Sequence, residues 1–372
     1  MIFLVSISAI YIIFFLIVLF MGIFFNIDIK IQAFKWALIF FGISYATLAF
    51  YINPPYSWDL YRLYNEIDLM RFGGLNYVIN SAIYKDLFVT NYLFYFVSLL
   101  PSNGFLPFIT ILIEFFIFTY ISVDFKKKNK DMSTMIYAII FLLYFTLADI
   151  SLSLSGIRNV LAFSICGLAL YIDFIQGKKG ILKWFLYIVP IFIHPSVIII
   201  LILRLFIIFK KISFKFSFLL LLWVIFLPQI TQYLKYSPIK VLNIIGSLMN
   251  DYSNIQVNYD IRILCINIIL VSTLLVSSLY LLKNQKDIIP LNHINFIRFF
   301  ILYCLVTLGS ITNLILFNRL LFGLAYIFIP IIYYLFKSVS KIKYKFYYFI
   351  FMSCSFICLM FQIYHLYIIF LK

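Results

Sequence analysis

Apolar runs long enough to cross a bilayer recur along the whole chain, and they limit its architecture more than any other feature. They cover about 2–25, 36–52, 105–123, 132–149, 157–175, 216–234, 261–282, 294–316, 318–336 and 346–370. A spanning helix needs roughly 20 such residues. Lipid offers no partner to backbone N–H and C=O groups, so each run must satisfy its own as a helix. The expected fold is all-α: one polytopic membrane domain over 1–372, with about 11–13 transmembrane or re-entrant helices. Two regions depart from the simple pattern. Segment 87–100 is short and ends at Pro101. Segment 181–209 is too long for one span and is broken at Pro190 and His194-Pro195, so it reads as two short helices meeting at His194.

Composition agrees. The chain is 65% hydrophobic and 11% charged, with mean hydropathy +1.09. A soluble domain is about 25% charged, so a soluble globular protein, a disordered chain and a disulfide scaffold are excluded. Cys166, Cys265, Cys304, Cys354 and Cys358 all fall inside apolar runs and read as buried thiols. The run Ile2–Phe25 has no basic leader and no small-residue cleavage site, and is expected to be the first span.

The net charge of +16 splits into two populations. Lysines gather at 30 and 35, 126–130, 178–183, 210–215, 283–286 and 337–345, which accounts for 18 of the 22. The positive-inside rule places these clusters in the cytoplasm. The loops at about 53–86, 150–157, 235–260 and 313–319 then face outward, and His194 stands at the outer tip of a hairpin. For 53–86 to be outside and 126–130 inside, 87–100 and 105–123 must make a single crossing, so 87–100 is expected to be re-entrant or to lie at the outer interface. His293 and His365 lie at span ends with no constellation around them.

The arginines do not follow the lysines. Of seven, Arg62, Arg71, Arg158, Arg262 and Arg319 lie at or near the outer face. Topology sorts both cations inward, so outward arginines need another reason. A guanidinium makes forked hydrogen bonds to phosphate oxygens and keeps its charge when partly desolvated. The bland reading is snorkelling from helix ends. Arg158 is the sharpest case: it follows Ser155-Gly156 at a helix start, where free N–H groups and the helix dipole also favour an anion. Arg319 likewise opens a late span. His194 could act as base or acid, or simply bond a carbonyl freed by the proline break. The stretch from Tyr56 to Asp68 combines Asp59, Glu66 and Asp68 with Arg62, Trp58, Tyr61 and Tyr64. That mixture suits a sugar ring, and equally an interfacial amphipathic helix. Arg71 and Arg262 complete the candidate substrate contacts. The polar residues 250–260 form a second sugar-compatible loop. Glu114, inside a span, is a candidate proton-relay group. Walker A, dinucleotide-binding and HExxH motifs are missing, as is an Asp-x-Asp pair, so no cofactor and no metal is expected; with the lysines explained by orientation, no nucleic-acid partner is expected either.

In this order the residues resemble bacterial surface-polysaccharide polymerases of the Wzy/EpsG family. The likeness rests on Trp58-Asp59-Leu60-Tyr61 with Tyr64, and on Gly156-Ile157-Arg158-Asn159 leading a span that ends in Gly177-Lys178-Lys179-Gly180. It continues in Phe192-Ile193-His194-Pro195-Ser196 and in a span from Arg319 to Pro330. The residue after Arg158 is Asn where the family often has Gln, and the Asp59 stretch lacks the glycines common ahead of it. The resemblance implies a GT-C-like helical enzyme in the inner membrane, an O-antigen polymerase joining oligosaccharide repeat units carried on undecaprenyl diphosphate at the outer face. Membrane lipid and a chain-length regulator are the partners it implies. Within that picture Arg158 and Arg319 would stabilise the leaving diphosphate, with Arg62 or Arg262 in support, and His194 or Asp59 would take the acceptor proton. The alternatives are a lipid-linked oligosaccharide flippase, an O-antigen ligase and a membrane acyltransferase. A flippase would show two repeated halves and charges in a central cavity; no internal repeat is visible and the arginines collect at one face. An acyltransferase carries its histidine early, whereas the first histidine here is His194. A ligase would share the arginines and histidine.

Overall fold

The structure is a computed structural model that describes residues 30–56, 58–84, 86–208, 260–284, 289–338 and 341–371, with isolated positions between 226 and 238. The expected spans at 2–25 and 216–234, Lys210, Lys211, Lys215 and Lys286, and most of the 235–260 loop lie outside the described residues.

Every regular element among the described residues is helical. In chain order they are α1 (Ile31–Phe50), α2 (Asp59–Asn80), α3 (Phe88–Ser98), α4 (Phe105–Lys128), α5 (Thr134–Ala148), α6 (Ile150–Ser155) and α7 (Ile157–Leu170), continued by a π-helical turn Tyr171–Ile175. Then come α8 (Ile181–Ile188), α9 (Ile198–Ile208), α10 (Ile261–Asn284), α11 (Leu291–Gly309), α12 (Leu314–Ile327), α13 (Ile329–Ser338) and α14 (Lys341–Leu371). Six are long and apolar enough to cross a membrane: α1, α4, α7 with its π turn, α10, α11 and α14. The pair α12 and α13, bent by 60°, brings the number to seven if it is one broken span. The protein is an all-α polytopic membrane protein.

The proline-broken segment is the hairpin its sequence suggests. The helix from Ile181 ends in a 3-10 turn Val189–Phe192, His194 is extended, and a second 3-10 turn Pro195–Val197 leads into α9. The freed backbone groups find partners: His194 N–H donates to Pro190 O at 2.8 Å and the Thr90 hydroxyl donates to Ile193 O at 2.9 Å. The connection at 53–86, within which an interfacial amphipathic helix is one of two equal expectations, is largely helical. In α2, Leu60, Leu63, Ile67 and Met70 are buried on one face while Arg62, Leu69 and Phe72 are exposed, an amphipathic helical period. Gly74, at φ 59°, kinks α2 in a region that favours glycine.

The core centres on α7, which is buried on nearly every side and packs against α4, α8 and α12. Small residues allow close contact between helices. A Cβ at Gly167 would sit 2.4 Å from Tyr326 Cβ of α12. Not every cysteine is inside: Cys265 is exposed and Cys354 half-buried, because apolar runs in a bilayer also supply the lipid-facing surface.

The bundle has two chemically distinct ends. At one, Lys337 at the end of α13 pairs with Asp131 at 2.9 Å, and Lys128 at the end of α4 pairs with Asp124 at 3.0 Å. Lys337 and the Tyr333 hydroxyl hold the Asp131 carboxyl below its usual range. His293 contradicts its expected isolation: Nδ1 lies 2.5 Å from the Tyr334 hydroxyl and Nε2 lies 3.2 Å from Ile175 O. The opposite ends of α7 and α12 carry Arg158 and Arg319. Helix α3 does not cross. Its first turn reaches the His194 hairpin through Thr90, while its last turn meets Arg71 of α2 and leads to Gly104, against Phe50 at the far end of α1. Eleven residues at about 1.5 Å each give about 16 Å, roughly half of a ~30 Å hydrocarbon core.

Candidate anion-binding active site

At the end opposite the lysine clusters, the starts of α2, α7 and α12 converge with the tip of the α8–α9 hairpin. Arg158 is in the first turn of α7, behind Gly156, and only 8% exposed. Burying a guanidinium requires partners, and Arg158 has few. Its Nη2 reaches Asp59 Oδ2 at 3.4 Å, a long contact, and its plane lies over the Tyr84 ring at 4.2 Å. Its Nε is buried with no hydrogen-bond partner. Asp59 bonds more tightly to Arg62, at 2.6 Å, one helical turn along α2. Arg62 also lies over the Tyr84 ring, at 5.9 Å. Two guanidiniums thus share one carboxylate and one aromatic face. The hydroxyls of Tyr64 and Tyr84 are buried without partners, and burial raises both phenols, so they stay protonated donors.

His194 is 4% exposed. It sits in the break between the hairpin helices and within electrostatic reach of both Arg319 and Arg158. Burial, then Arg319, then Arg158, push its imidazole well below the ordinary histidine value, so the ring is neutral at pH 7. Nδ1 accepts the Ser196 N–H at 3.3 Å and lies 2.8 Å from Ser196 Oγ. Ser196 Oγ reaches Asn159 Oδ1 at 3.5 Å, which connects the hairpin tip to the residue beside Arg158. Arg319 is half-buried in the second turn of α12, a helix whose start is fixed by Asn313, whose side chain accepts the Leu316 N–H at 3.1 Å.

The structure therefore gathers Asp59, Arg62, Arg158, His194 and Arg319, with Tyr64 on the next turn of α2. It engages two other sequence candidates elsewhere. Arg71 bonds to Asp68, to Asn103 Oδ1 at 2.7 Å and to the carbonyls of Ser98 and Leu100, tying α2 to the α3–α4 connection. Arg262 folds onto Asp260 at 2.7 Å and over the Phe361 ring at 4.4 Å. Sequence reading passed over Tyr84, one of 29 tyrosines with no local signal. Asn159 and Ser196 stand in the family-like motifs around Arg158 and His194, where sequence alone assigns them no role. Glu114 lies within the bundle rather than at this end, its Oε1 accepting from the Tyr144 hydroxyl at 2.5 Å. Among the described residues no group of three or more His, Cys, Asp or Glu converges as a metal site would require.

Chemically, this is a concentration of positive charge with forked donors and aromatic faces, set at a helix start, with Arg158 and His194 withdrawn from water and Arg62 open to it. Such an arrangement stabilises an anion, most strongly one whose charge grows during a reaction. No curated protein and no solved structure matches the chain. The family model of the EpsG family matches residues 68–370, which include Arg158, His194 and Arg319, while Asp59 and Arg62 precede it. With a match over most of its length, this chain belongs to the EpsG family.

Proposed function

We propose that the protein is a polysaccharide polymerase, an O-antigen-type glycosyltransferase that joins oligosaccharide repeat units carried on undecaprenyl diphosphate at the outer face of a bacterial inner membrane. The observation that carries this reading is the meeting of Arg158, Arg319 and His194 at the end of the bundle opposite the lysines. Family membership supports the general role. The orientation comes from the positive-inside rule.

In the reaction, a hydroxyl oxygen of the acceptor sugar attacks the anomeric carbon of the donor chain. The bond from that carbon to the diphosphate oxygen breaks, and its electron pair stays on the diphosphate. Arg158 and Arg319 stabilise the charge gathering there, a role that preorganised donors perform well in a site shielded from water. The hydroxyl loses its proton to a base, for which Asp59 stands beside Arg158 with a one-third-exposed side chain. Tyr64, Tyr84 and Trp58 offer faces and hydroxyls to the sugars.

The test is the polymer ladder on gels from a polymerase-deleted strain carrying variants at matched protein levels. Arg158→Ala and Arg319→Ala should each shorten or abolish the ladder, a loss of roughly 100-fold in rate. Arg158→Lys should recover part of it, because charge survives and the fork does not. Full ladders from both alanine variants would reject the assignment. Single repeat units still attached to the lipid core indicate a lost polymerase; loss of all attachment indicates a ligase.

A further inference from the structure

The break at His194 contains more information than the position of an imidazole. Pro195 has no N–H, so the first backbone donor after His194 is Ser196, and it points back to His194 Nδ1 at 3.3 Å. A backbone N–H can only donate. Nδ1 must therefore present its lone pair, and the Ser196 hydroxyl, 2.8 Å away, can donate to the same atom. A proton on Nδ1 would find an acceptor in Ser196 Oγ but would deprive the Ser196 backbone N–H of its own, leaving that donor unsatisfied in a part-buried turn. The proton of a neutral ring then resides on Nε2, which makes no hydrogen bond to any described residue.

We propose that the Pro195-Ser196 turn fixes His194 in the Nε2–H form, making it a hydrogen-bond donor to an anionic oxygen of the substrate diphosphate and barring it from acting as the base. This rests on the polymerase reading above for the identity of the anion. Nε2 has no lone pair to receive a proton, and the lone pair of Nδ1 is covered by Ser196. The acceptor proton therefore passes to the Asp59 carboxylate, while the bond to the anomeric carbon forms and the diphosphate departs with its electron pair. Nearby Arg319 and Arg158 oppose imidazolium formation and so favour the same neutral ring. Ser196 becomes a positioning residue: it touches no reacting atom and sets which nitrogen faces the substrate.

Two measurements test this separately from the polymerase assignment. The first is nitrogen-15 NMR of the full chain, labelled at histidine, in nanodiscs at neutral pH; the His194 signals are those lost in His194→Gln. A proton attached to Nε2 with a bare Nδ1 is expected. A proton on Nδ1, or an imidazolium, overturns the proposal and leaves the polymerase reading intact. The second is the ladder assay on three substitutions at His194. Glutamine places an N–H near the Nε2 position and cannot serve as base, so it should stay within about 10-fold of wild type. Alanine, with no donor, and glutamate, with a base and no donor, should each fall by about 100-fold. Rescue by glutamate and not by glutamine would assign His194 as the base and sink the proposal. Normal ladders from all three, together with normal ladders from Arg158→Ala, would instead overturn the polymerase reading.

Discussion

Arg158 and Arg71 occupy similar depths in the sequence map, yet only one faces the candidate site. The alternation of apolar runs and charge clusters reports how deep a residue lies and says little about which way it points around its helix. Arg158 was legible as a candidate because an arginine coincides with a helix start. Tyr84 was not, because an aromatic residue in a chain with 45 phenylalanines and 29 tyrosines carries no contrast. Arg71→Ala removes a clasp between α2 and the α3–α4 connection, so it should lower thermal stability in detergent by about 1–3 kcal/mol. Polymer length per folded molecule should remain unchanged. His194 predicts a pH effect. Its native value is depressed below 6.5, so the unfolded chain binds the extra proton first. Stability from this group is present above the unfolded value and declines as pH falls below it, by up to about 1.4 kcal/mol per unit. Thermal melting between pH 7 and pH 5 should show that acid-sensitive part in wild type and lack it in His194→Gln. Equal slopes for the two chains would contradict the depressed value.

At the level of elements, proline spacing made the α8–α9 hairpin readable, and its tip residue with it. The means of holding its base was not readable. Asp173, in the π-helical turn after α7, accepts from Lys183 of α8 at 2.9 Å and from Arg204 of α9 at 2.5 Å. Arg204 also lies over the Phe174 ring at 4.5 Å. One carboxylate thus joins both arms of the hairpin to the core helix. Sequence places Asp173 in one run and Lys183 and Arg204 near opposite ends of the next, and a π turn has no clear signature in side-chain period, so the pairing emerges only from packing. Asp173→Ala leaves two cations uncompensated in a mostly buried setting and should cost about 3–5 kcal/mol, read as a lower melting temperature. Gly167→Ala forces a Cβ against Tyr326 and should cost about 1–3 kcal/mol by separating α7 from α12. Since those helices carry Arg158 and Arg319, its polymer ladder should shorten even at full expression.

For the whole molecule, Lys128 and Lys337 lie at one end of the bundle and Arg62, Arg158 and Arg319 at the other, while Arg204 joins Lys183 on Asp173; α3 stays at the end that carries Arg158. What sequence withheld was the three-dimensional proximity of segments more than a hundred residues apart, which depends on side-chain fit among similar apolar surfaces. The orientation can be checked in a chain with its cysteines replaced by serine. A cysteine at Tyr56 should react with a membrane-impermeant maleimide from outside intact spheroplasts, and one at Lys179 only after lysis. The reverse pattern would invert the molecule and remove its substrate from reach. The packing of α12 against α7 also sets an order of assembly. As the ribosome delivers the chain, Asp59, Tyr84, Arg158 and His194 are made and inserted well before Arg319. Until α12 slides into place beside Gly167, the nascent protein holds an incomplete anion site. A chain released before residue 314 would carry Asp59, Arg62, Arg158 and His194 and lack Arg319. On the proposed function, the cation that completes the site is therefore supplied only after Asp59, Arg158 and His194 are already in the membrane.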